Sequence, residues 1–355
     1  AVDPRYATVS AAQGEYGSLF GYLASRSGHD GDLWAVYQPA TIVYRAALFL
    51  HARRAEGSLY QTIRGIHGNA VTQEPPQFDP ACLTDINCPV TGAMDWEVVK
   101  SYTAPPDGET DFGITPYRRD LLRSPSTGHV LNHHHFDLSG LYSGDYWDRT
   151  YGGGRMAQTY DKIMALPPEQ SDNRQRVAYV QSVWSTYGPR GGDRTVLDVG
   201  SGLAVFPSAM AQAGWTATAL DPDPRSAQHA MEKAGVEGLV ADFMTDTVSR
   251  RFALVTFNKV LEHVPDPVAM LRRARPILLP GGGVYVELPD GEGALAAAGP
   301  DREEFFVEHY YAFSALSYAL LARKAGFRVQ RLDRVIEPSG KYTLRGFLMP
   351  KDAAQ

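Results

Sequence analysis

The sequence predicts an α/β fold, in which a helical arm and a small β-rich segment precede a sheet of mostly parallel strands. Residues 195–206, TVLDVGSGLAVF, join an apolar strand to a helix through a glycine turn. Four more apolar runs alternate with helical stretches up to Leu288, which is the pattern of parallel strands with helical crossovers. Two β-rich runs, Phe327–Val335 and Tyr342–Met349, follow and are expected to pair antiparallel at the end of the sheet.

The composition is that of a globular protein without a strong electrostatic preference. Hydrophobic residues make up 44% of the 355 positions and charged residues 21%. The net charge of −6 gives no field that favours nucleic acid or an anionic membrane, so a small-molecule partner is expected. There is no apolar run of about twenty residues, and no basic leader precedes an apolar core, so neither a membrane span nor a signal peptide is expected. Two cysteines indicate no disulfide scaffold, and a cytoplasmic location is expected.

Residues 1–75 form the first of three expected regions and are predicted to be helical. Apolar side chains recur at helical spacing in residues 34–55, and Pro39 must begin or kink that helix. The apolar face could pack on its own domain, cover an active site or pair two subunits. A homodimer through this region is therefore one of the open alternatives.

Residues 76–140 are predicted to form a β-rich segment shaped like a zinc ribbon. Residues 88–92, CPVTG, have the form of a C-x-x-C-G knuckle with Thr91 in place of the second cysteine. Residues 122–130, LRSPSTGHV, resemble the returning knuckle, with Ser124 and Thr127 at the cysteine positions. Because structural zinc requires four thiolate or imidazole ligands, we interpret the segment as a ribbon that has kept its hairpins and lost its metal. Accidental turn chemistry is the alternative.

Three consecutive histidines, His133, His134 and His135, follow this segment. Successive side chains of a strand point to opposite faces, so the three cannot bind one ion without a turn. Solvated loop histidines are the expected outcome, and no metal ion is predicted. Recruitment of Cys82, His129 or these histidines around Cys88, and a binding or proton-transfer role for one of the three, remain alternatives.

Polar side chains recur where the predicted parallel strands end. Asp221 lies about twenty residues beyond the glycine turn, where a carboxylate can accept hydrogen bonds from both ribose hydroxyls of a nucleoside. Asp242 and Phe243 follow the next strand and offer a carboxylate and a ring beside an adenine. Open parallel sheets bind ligands at the carboxyl ends of their strands, so this edge is the predicted binding site.

Five segments carry a specific resemblance: LDVGSG, ALDPDP, ADF, FNKVLEHVPDP and LLPGGGVYVELP. In order and spacing they resemble the class I S-adenosylmethionine-dependent methyltransferases, over about residues 142–350. The resemblance implies a Rossmann-like seven-stranded sheet in a domain of residues 141–355, with S-adenosylmethionine as cofactor. By that resemblance, the methionine moiety is lined by Asp198, Gly200 and Gly202, and the ribose is bound by Asp221. The adenine lies beside Asp242 and Phe243, and the cofactor face near the substrate lies beside Asn258. The rim of the cofactor site is formed by Tyr142, Tyr146 and Tyr151.

A ribbon-like segment ahead of such a domain resembles the sugar C-methyltransferases and related tailoring methyltransferases. The resemblance implies that the ribbon helps to wall the acceptor site, and that the acceptor is a sugar nucleotide or a natural-product intermediate. A dinucleotide-dependent oxidoreductase is disfavoured, because Ala204 at the third small position would crowd a pyrophosphate and because that fold lacks the terminal hairpin. A noncatalytic methyltransferase-like binding partner is the other alternative.

Methyl transfer from a sulfonium is an in-line displacement, so the protein must align the acceptor and remove its proton. Imidazole suits this task near neutral pH, and His309 and His263 are the candidate bases. Glu308 is a lesser catalytic candidate, and Glu287 and Tyr310 are candidates for binding the acceptor. The alternatives are a structural role for His263 and pairing with a neighbour for Glu287.

Overall fold

The computed structural model describes residues 86–138 and 155–351. All of them belong to one compact unit, Cys82–Gln355. The predicted helical arm of residues 1–75 and the predicted cofactor rim of Tyr142, Tyr146 and Tyr151 lie outside the described residues. Those predictions therefore remain predictions.

Eleven strands and seven α-helices are present in the described residues. The strands are β1 (Glu97–Tyr102), β2 (Arg119–Arg123), β3 (Val130–His134), β4 (Thr195–Val199), β5 (Thr216–Asp221), β6 (Glu237–Val240), β7 (Phe252–Asn258), β8 (Leu278–Pro289), β9 (Tyr311–Ala312), β10 (Phe327–Ile336) and β11 (Tyr342–Pro350). The helices are α1 (Met156–Met164), α2 (Asp172–Tyr187), α3 (Val205–Gln212), α4 (Pro224–Glu232), α5 (Pro267–Arg272), α6 (Gly291–Ala298) and α7 (Ala315–Lys324). No helix in this part of the chain combines the length and the apolarity needed to cross a bilayer.

Seven strands form the main sheet, in the order β10-β11-β8-β7-β4-β5-β6. Strands β4 to β8 are parallel to one another, and β10 and β11 run antiparallel beside β8. Strand β7 reads FALVTFN, and all but its last residue are buried, because a parallel strand inside a sheet is covered on both faces. The predicted Rossmann-like seven-stranded sheet with a terminal antiparallel hairpin is thus confirmed.

A second sheet, which we call the ribbon sheet, has the order β1-β2-β3-β9. Its first three strands come from the predicted ribbon-like segment. Strand β9 comes much later in the chain, after β8 of the main sheet. Strand β3 pairs with β9 through Val130 and Leu131, opposite Ala312 and Tyr311. The ribbon-like segment is therefore hydrogen-bonded directly to the chain that follows His309.

Both predicted knuckles are tight turns. The amide of Gly92 donates to the carbonyl of Cys88, and the amide of Gly128 donates to the carbonyl of Ser124, each over 2.7 Å. Hydroxyl groups occupy the second turn, where the Thr127 hydroxyl donates to Ser124 Oγ over 2.9 Å. Hydrogen bonds between side chains and backbone thus close the turns that knuckle cysteines would occupy.

The expectation of solvated loop histidines is wrong for His134, whereas His135 is exposed in the bend after β3. His134 lies on β3, and its Nε2 is 2.9 Å from the carbonyl oxygen of Val307. The Nε2 of His135 is 2.6 Å from a carboxylate oxygen of the buried Asp120. Pairing of β3 with β2 and β9 places His134 against protein groups, whereas His135 stays exposed while it contacts Asp120.

Candidate functional site

The glycine turn lies between β4 and α3, at the carboxyl edge of the main sheet. Gly200 and Gly202 have φ values of +67° and +49°, in the left-handed region where glycine is favoured. The amides of Gly200 and Ser201 both donate to the carbonyl of Leu220, which fastens the turn to the end of β5. A Cβ atom at Gly200 would lie 2.9 Å from Cγ2 of Val260, so the position is closed to larger residues.

Asp221 closes this turn from the end of β5. One carboxylate oxygen accepts the amide of Gly202 at 2.9 Å, and the other accepts the amide of Asp223 at 3.0 Å. Burial raises the pKa of Asp221 above its ordinary value. Each carboxylate oxygen retains a further lone pair, so the side chain can still accept hydroxyl groups of a bound ribose.

Asp198 and Asn258 meet at the ends of the adjacent strands β4 and β7. The same carboxylate oxygen of Asp198 accepts the Thr256 hydroxyl and the Asn258 amide, both at 2.6 Å. Burial raises the pKa of Asp198 to about 6. The buried carbonyl oxygen of the Asn258 side chain has no hydrogen-bond partner among the described residues, so it is available to a donor group on a ligand.

Asp242 and Phe243 follow β6, as the sequence requires, but their environments differ. Asp242 is exposed, and its carboxylate accepts the amide of Met244 at 2.8 Å. Phe243 is buried and packs edge-on against Phe257, with 5.6 Å between the ring centroids. The carboxylate therefore faces open space, whereas the ring forms part of the wall beneath it.

Glu287, predicted to bind the acceptor, is fully buried on β8. Arg176 of α2 donates to both of its carboxylate oxygens, and Arg345 and the Tyr285 hydroxyl donate to Oε2 at 3.1 and 2.6 Å. The surrounding cations hold the pKa of Glu287 well below its ordinary range. These contacts favour the alternative in which Glu287 pairs with its neighbours.

The ion pairs around Glu287 continue to Glu337, which contacts Arg176, Arg345 and Lys259. The cluster thus contains three cations and two carboxylates, which leaves an excess of one positive charge. The sequence analysis did not single out Arg176 or Lys259. Arg176 faces inward from the helix that precedes the glycine turn. That orientation is known only once the helix is docked, so the sequence contained no usable signal for it.

Glu262, His263 and His309 converge beside the end of β7. One potential ligand atom from each lies within 4.8 Å of the others, and the two rings are edge-to-face with centroids 4.7 Å apart. The Nδ1 atoms of His263 and His309 each lie 3.0 Å from a backbone carbonyl oxygen, of Glu308 and Glu304 respectively. Nδ1–H is therefore the donor in each neutral ring, and Nε2 carries the lone pair.

Burial controls the protonation of this cluster, which we call the His–Glu cluster. It lowers the pKa of His263 to about 3 and that of His309 to about 4, so both imidazoles are neutral at pH 7. It raises the pKa of Glu262 to about 8. Neither carboxylate oxygen of Glu262 has a hydrogen-bond partner among the described residues, so the carboxyl group is not satisfied by the protein alone.

Two imidazoles and a carboxylate are also a donor set that divalent transition metals bind. In the described residues this is the one group of three such side chains close enough to share an ion. Both histidines were predicted from the sequence as candidates for proton transfer, whereas Glu262 was not predicted as a ligand. The contact depends on a backbone hydrogen bond from Tyr310 to the carbonyl of Glu262, at 2.7 Å, which only the folded chain forms.

The other two predicted residues, Glu308 and Tyr310, flank His309. Glu308 is partly buried, and burial raises its pKa. Tyr310 lies on the ribbon side, edge-on to His134 with 5.7 Å between the ring centroids. It lines a cavity of about 350 Å³ together with residues of β3 and Phe136. Tyr310 therefore lines this cavity, whereas His309 belongs to the His–Glu cluster.

Comparison with known proteins gives a match to methyltransferases. A family of methyltransferase domains matches residues 156–332. The ubiquinone biosynthesis O-methyltransferase of Pseudomonas paraeruginosa is 36% identical over 135 residues, which is 36% of this chain and 56% of that protein. The enzyme of the same name from Serratia proteamaculans is 35% identical over 100 residues, which is 26% of this chain and 42% of that protein. The chain thus spans about half the length of these curated relatives.

Solved structures with similar folds were also found. The 1,6-didemethyltoxoflavin-N1-methyltransferase of Burkholderia thailandensis, solved with S-adenosylhomocysteine, has a TM-score of 0.45 and 19% identity, covering 70% of this chain and all of that one. The magnesium protoporphyrin IX methyltransferase of Synechocystis, also with S-adenosylhomocysteine, has a TM-score of 0.41 and 16% identity, covering 60% and 98%. From the sheet topology, the glycine turn and the matched family, residues 156–332 form a class I, S-adenosylmethionine-dependent methyltransferase domain.

Proposed function

We propose that the protein transfers the methyl group of S-adenosylmethionine to a small polar acceptor, with His309 as the base that takes the acceptor proton. One observation carries this proposal. Val260 packs against Gly200 of the glycine turn and lies two residues before Glu262 of the His–Glu cluster. The predicted cofactor site and the candidate base are therefore neighbours at one edge of the sheet.

The cofactor contacts follow from the groups left available at this edge. Asp221 can accept the ribose hydroxyls, and the unsatisfied carbonyl oxygen of Asn258 can accept the cofactor's ammonium group. The excess positive charge of the cluster around Glu287 and Glu337 suits the cofactor's carboxylate. Each end of the zwitterionic methionine moiety thus has a complementary group.

The chemical step balances without a further reactant. The acceptor atom attacks the methyl carbon, the carbon–sulfur bond breaks, and its electron pair remains on sulfur as a neutral thioether. The acceptor proton passes to Nε2 of His309, whose neutral imidazole is ready to receive it. Burial lowers the pKa of His263 as well, and His263 is the second candidate base.

For the acceptor we propose a sugar nucleotide or a natural-product intermediate with an ionisable hydroxyl group. The aromatic cavity beside Tyr310 and His134 supports a small acceptor with a flat or ring-shaped part. The names of the curated relatives support oxygen as the methylated atom. We place the reaction in the cytoplasm on the grounds of cysteine usage, and pairing of two subunits through residues 1–75 remains a prediction.

The test is turnover of S-adenosylmethionine to S-adenosylhomocysteine with catechol and UDP-glucose as probes of the two acceptor classes. If His309 is the base, His309→Gln lowers kcat by about 10² to 10⁴-fold with the cofactor affinity retained. His135→Gln, at an exposed position just after β3, is the matched control and keeps full activity. Full activity in His309→Gln removes the base assignment, and tight cofactor binding without turnover of any hydroxylated acceptor favours a noncatalytic partner.

A further inference from the structure

The loop of residues 305–310 carries His309 and is held from outside. Only its first residue, Phe305, belongs to a regular element, the 3-10 turn Glu303–Phe305. Its backbone groups must still find hydrogen-bond partners, because a buried, unpaired carbonyl or amide is costly. The ribbon sheet contacts five of the six carbonyl oxygens, those of residues 305–307, 309 and 310.

Asn132 of β3 is the central contact. This side chain is only 4% exposed. Its amide nitrogen lies 3.1 Å from the carbonyl oxygens of both Phe305 and Phe306, and 2.8 Å from that of His309. Its backbone amide also donates to the carbonyl of Tyr310, at 2.9 Å. One residue of the ribbon sheet thus contacts four of the six carbonyls of the loop.

Two fully buried charged groups fix the orientation of Asn132. Arg119 of β2 donates to the side-chain oxygen of Asn132 at 2.7 Å, which turns the amide nitrogen toward the loop. The same guanidinium is paired with Glu109 at 2.9 Å. Glu109 in turn accepts the amide of Val307, at 2.7 Å. Arg119, Glu109 and Asn132 therefore form one connected unit, which we call the clasp.

The clasp both accepts hydrogen bonds from the loop and donates hydrogen bonds to it. Glu109 accepts a hydrogen bond from the amide of Val307, and Asn132 donates to carbonyls before and after that residue. His134 contacts the carbonyl of Val307 itself, at 2.9 Å. Donors and acceptors cannot be exchanged at these positions, so the loop has a single register against β3. That register directs the ring of His309 toward His263.

We propose that Asn132 is a positioning residue, which through the clasp fixes the loop and with it the orientation of His309 in the His–Glu cluster. The inference rests on the proposed function for its catalytic consequence. It gives the ribbon-like segment a part in the chemistry, because that segment supplies the hydrogen bonds that hold the loop of the candidate base. Asn132 itself touches neither of the other two members of the cluster.

The first experiment needs no acceptor. The full chain, labelled with ¹³C at histidine Cε1 and supplied with S-adenosylmethionine and EDTA at pH 7, is compared by NMR with Asn132→Ala. His309→Gln assigns the resonance of His309. We expect this resonance to shift or broaden in Asn132→Ala, because the ring loses its fixed position. Asn173→Ala is the matched control, since Asn173 is equally buried and donates to the carbonyl of Val205 instead.

An unchanged His309 resonance in a folded Asn132→Ala protein overturns the proposal. If that variant does not fold, Asn132→Asp replaces it, because the carboxylate keeps the oxygen that accepts from Arg119 and removes the amide that donates to the loop. The same shift of the His309 resonance is then expected. An unchanged His309 resonance in Asn132→Asp counts against the proposal in the same way.

The second experiment is a double-mutant cycle on turnover with whichever probe acceptor is methylated. Asn132→Ala should lower kcat on the order of 10²-fold, with the affinity for S-adenosylmethionine within twofold of the wild type. Combined with His309→Gln, it should cause no further loss, because it acts through that ring. Multiplied losses would show a general structural role and overturn the proposal. If His309→Gln alone is fully active, the proposed base fails, while the NMR result still decides whether Asn132 positions the loop.

Discussion

The buried carboxyl group of Glu262 makes the stability of the protein depend on pH in a defined direction. Its ordinary pKa is 4.5, which applies to the unfolded chain, and burial raises the pKa to about 8 in the folded protein. Between these two values the folded state binds the proton and the unfolded state does not. Stability from this group is therefore greatest at low pH and is lost as the pH rises through about 8.

The size of the effect follows from the two pKa values. Between pH 6 and pH 9 the free energy of unfolding should fall by about 2.5 kcal/mol on account of Glu262. The substitution Glu262→Gln keeps the shape of the side chain and removes the titration. The variant should therefore lack this loss. The Tm of the variant minus that of the wild type should be roughly 5 °C larger at pH 9 than at pH 6.

The measurement is thermal unfolding of wild type and Glu262→Gln at pH 6, 7.5 and 9. EDTA is present throughout, so that a divalent cation bound to the cluster cannot ionise the carboxyl group. Glu97→Gln, at an exposed position of β1, is the control and should follow the wild type at every pH. Parallel curves for wild type and Glu262→Gln would refute the reasoning, because they would mean that Glu262 is ionised in the folded protein.

Three further outcomes are expected. Gly200→Ala should weaken binding of S-adenosylmethionine by at least about tenfold in calorimetry, since it adds a contact with Val260 to the cost of a positive φ, whereas Gly191→Ala, with φ +66° and open space around it, should leave the affinity unchanged. Asp221→Asn should weaken the same binding by about 10 to 100-fold through loss of a charged acceptor, and equal affinity in wild type and variant would remove Asp221 from the ribose site. Turnover should survive dialysis against EDTA, because proton removal is assigned to His309; loss of activity that Mg²⁺ or Zn²⁺ restores would show instead that the His–Glu cluster binds an ion.

Local sequence patterns predicted the methyltransferase domain and the edge of the sheet at which a ligand is expected. An apolar strand followed by glycine and a helix is a short-range signal, and so is a polar residue directly after a strand. Asp221 was predicted in this way, and Asp198, Gly200 and Asn258 through the family resemblance; the structure brings all four to one edge of the main sheet. Neighbouring parallel strands end together, so their positions along the chain were enough to predict their proximity.

Tertiary structure alone decided which charged and ionisable groups meet. Arg176 and Glu287 are 111 residues apart, and their pairing converts a predicted substrate contact into a buried ion pair. Asn132 reaches His309 across 177 residues through the pairing of β3 with β9. Such contacts depend on how separate elements dock, and no local periodicity encodes that. The sequence by itself therefore determined that this protein carries a cofactor-binding sheet. The packing of distant segments decided which imidazole lies beside that sheet and which contacts fix its position.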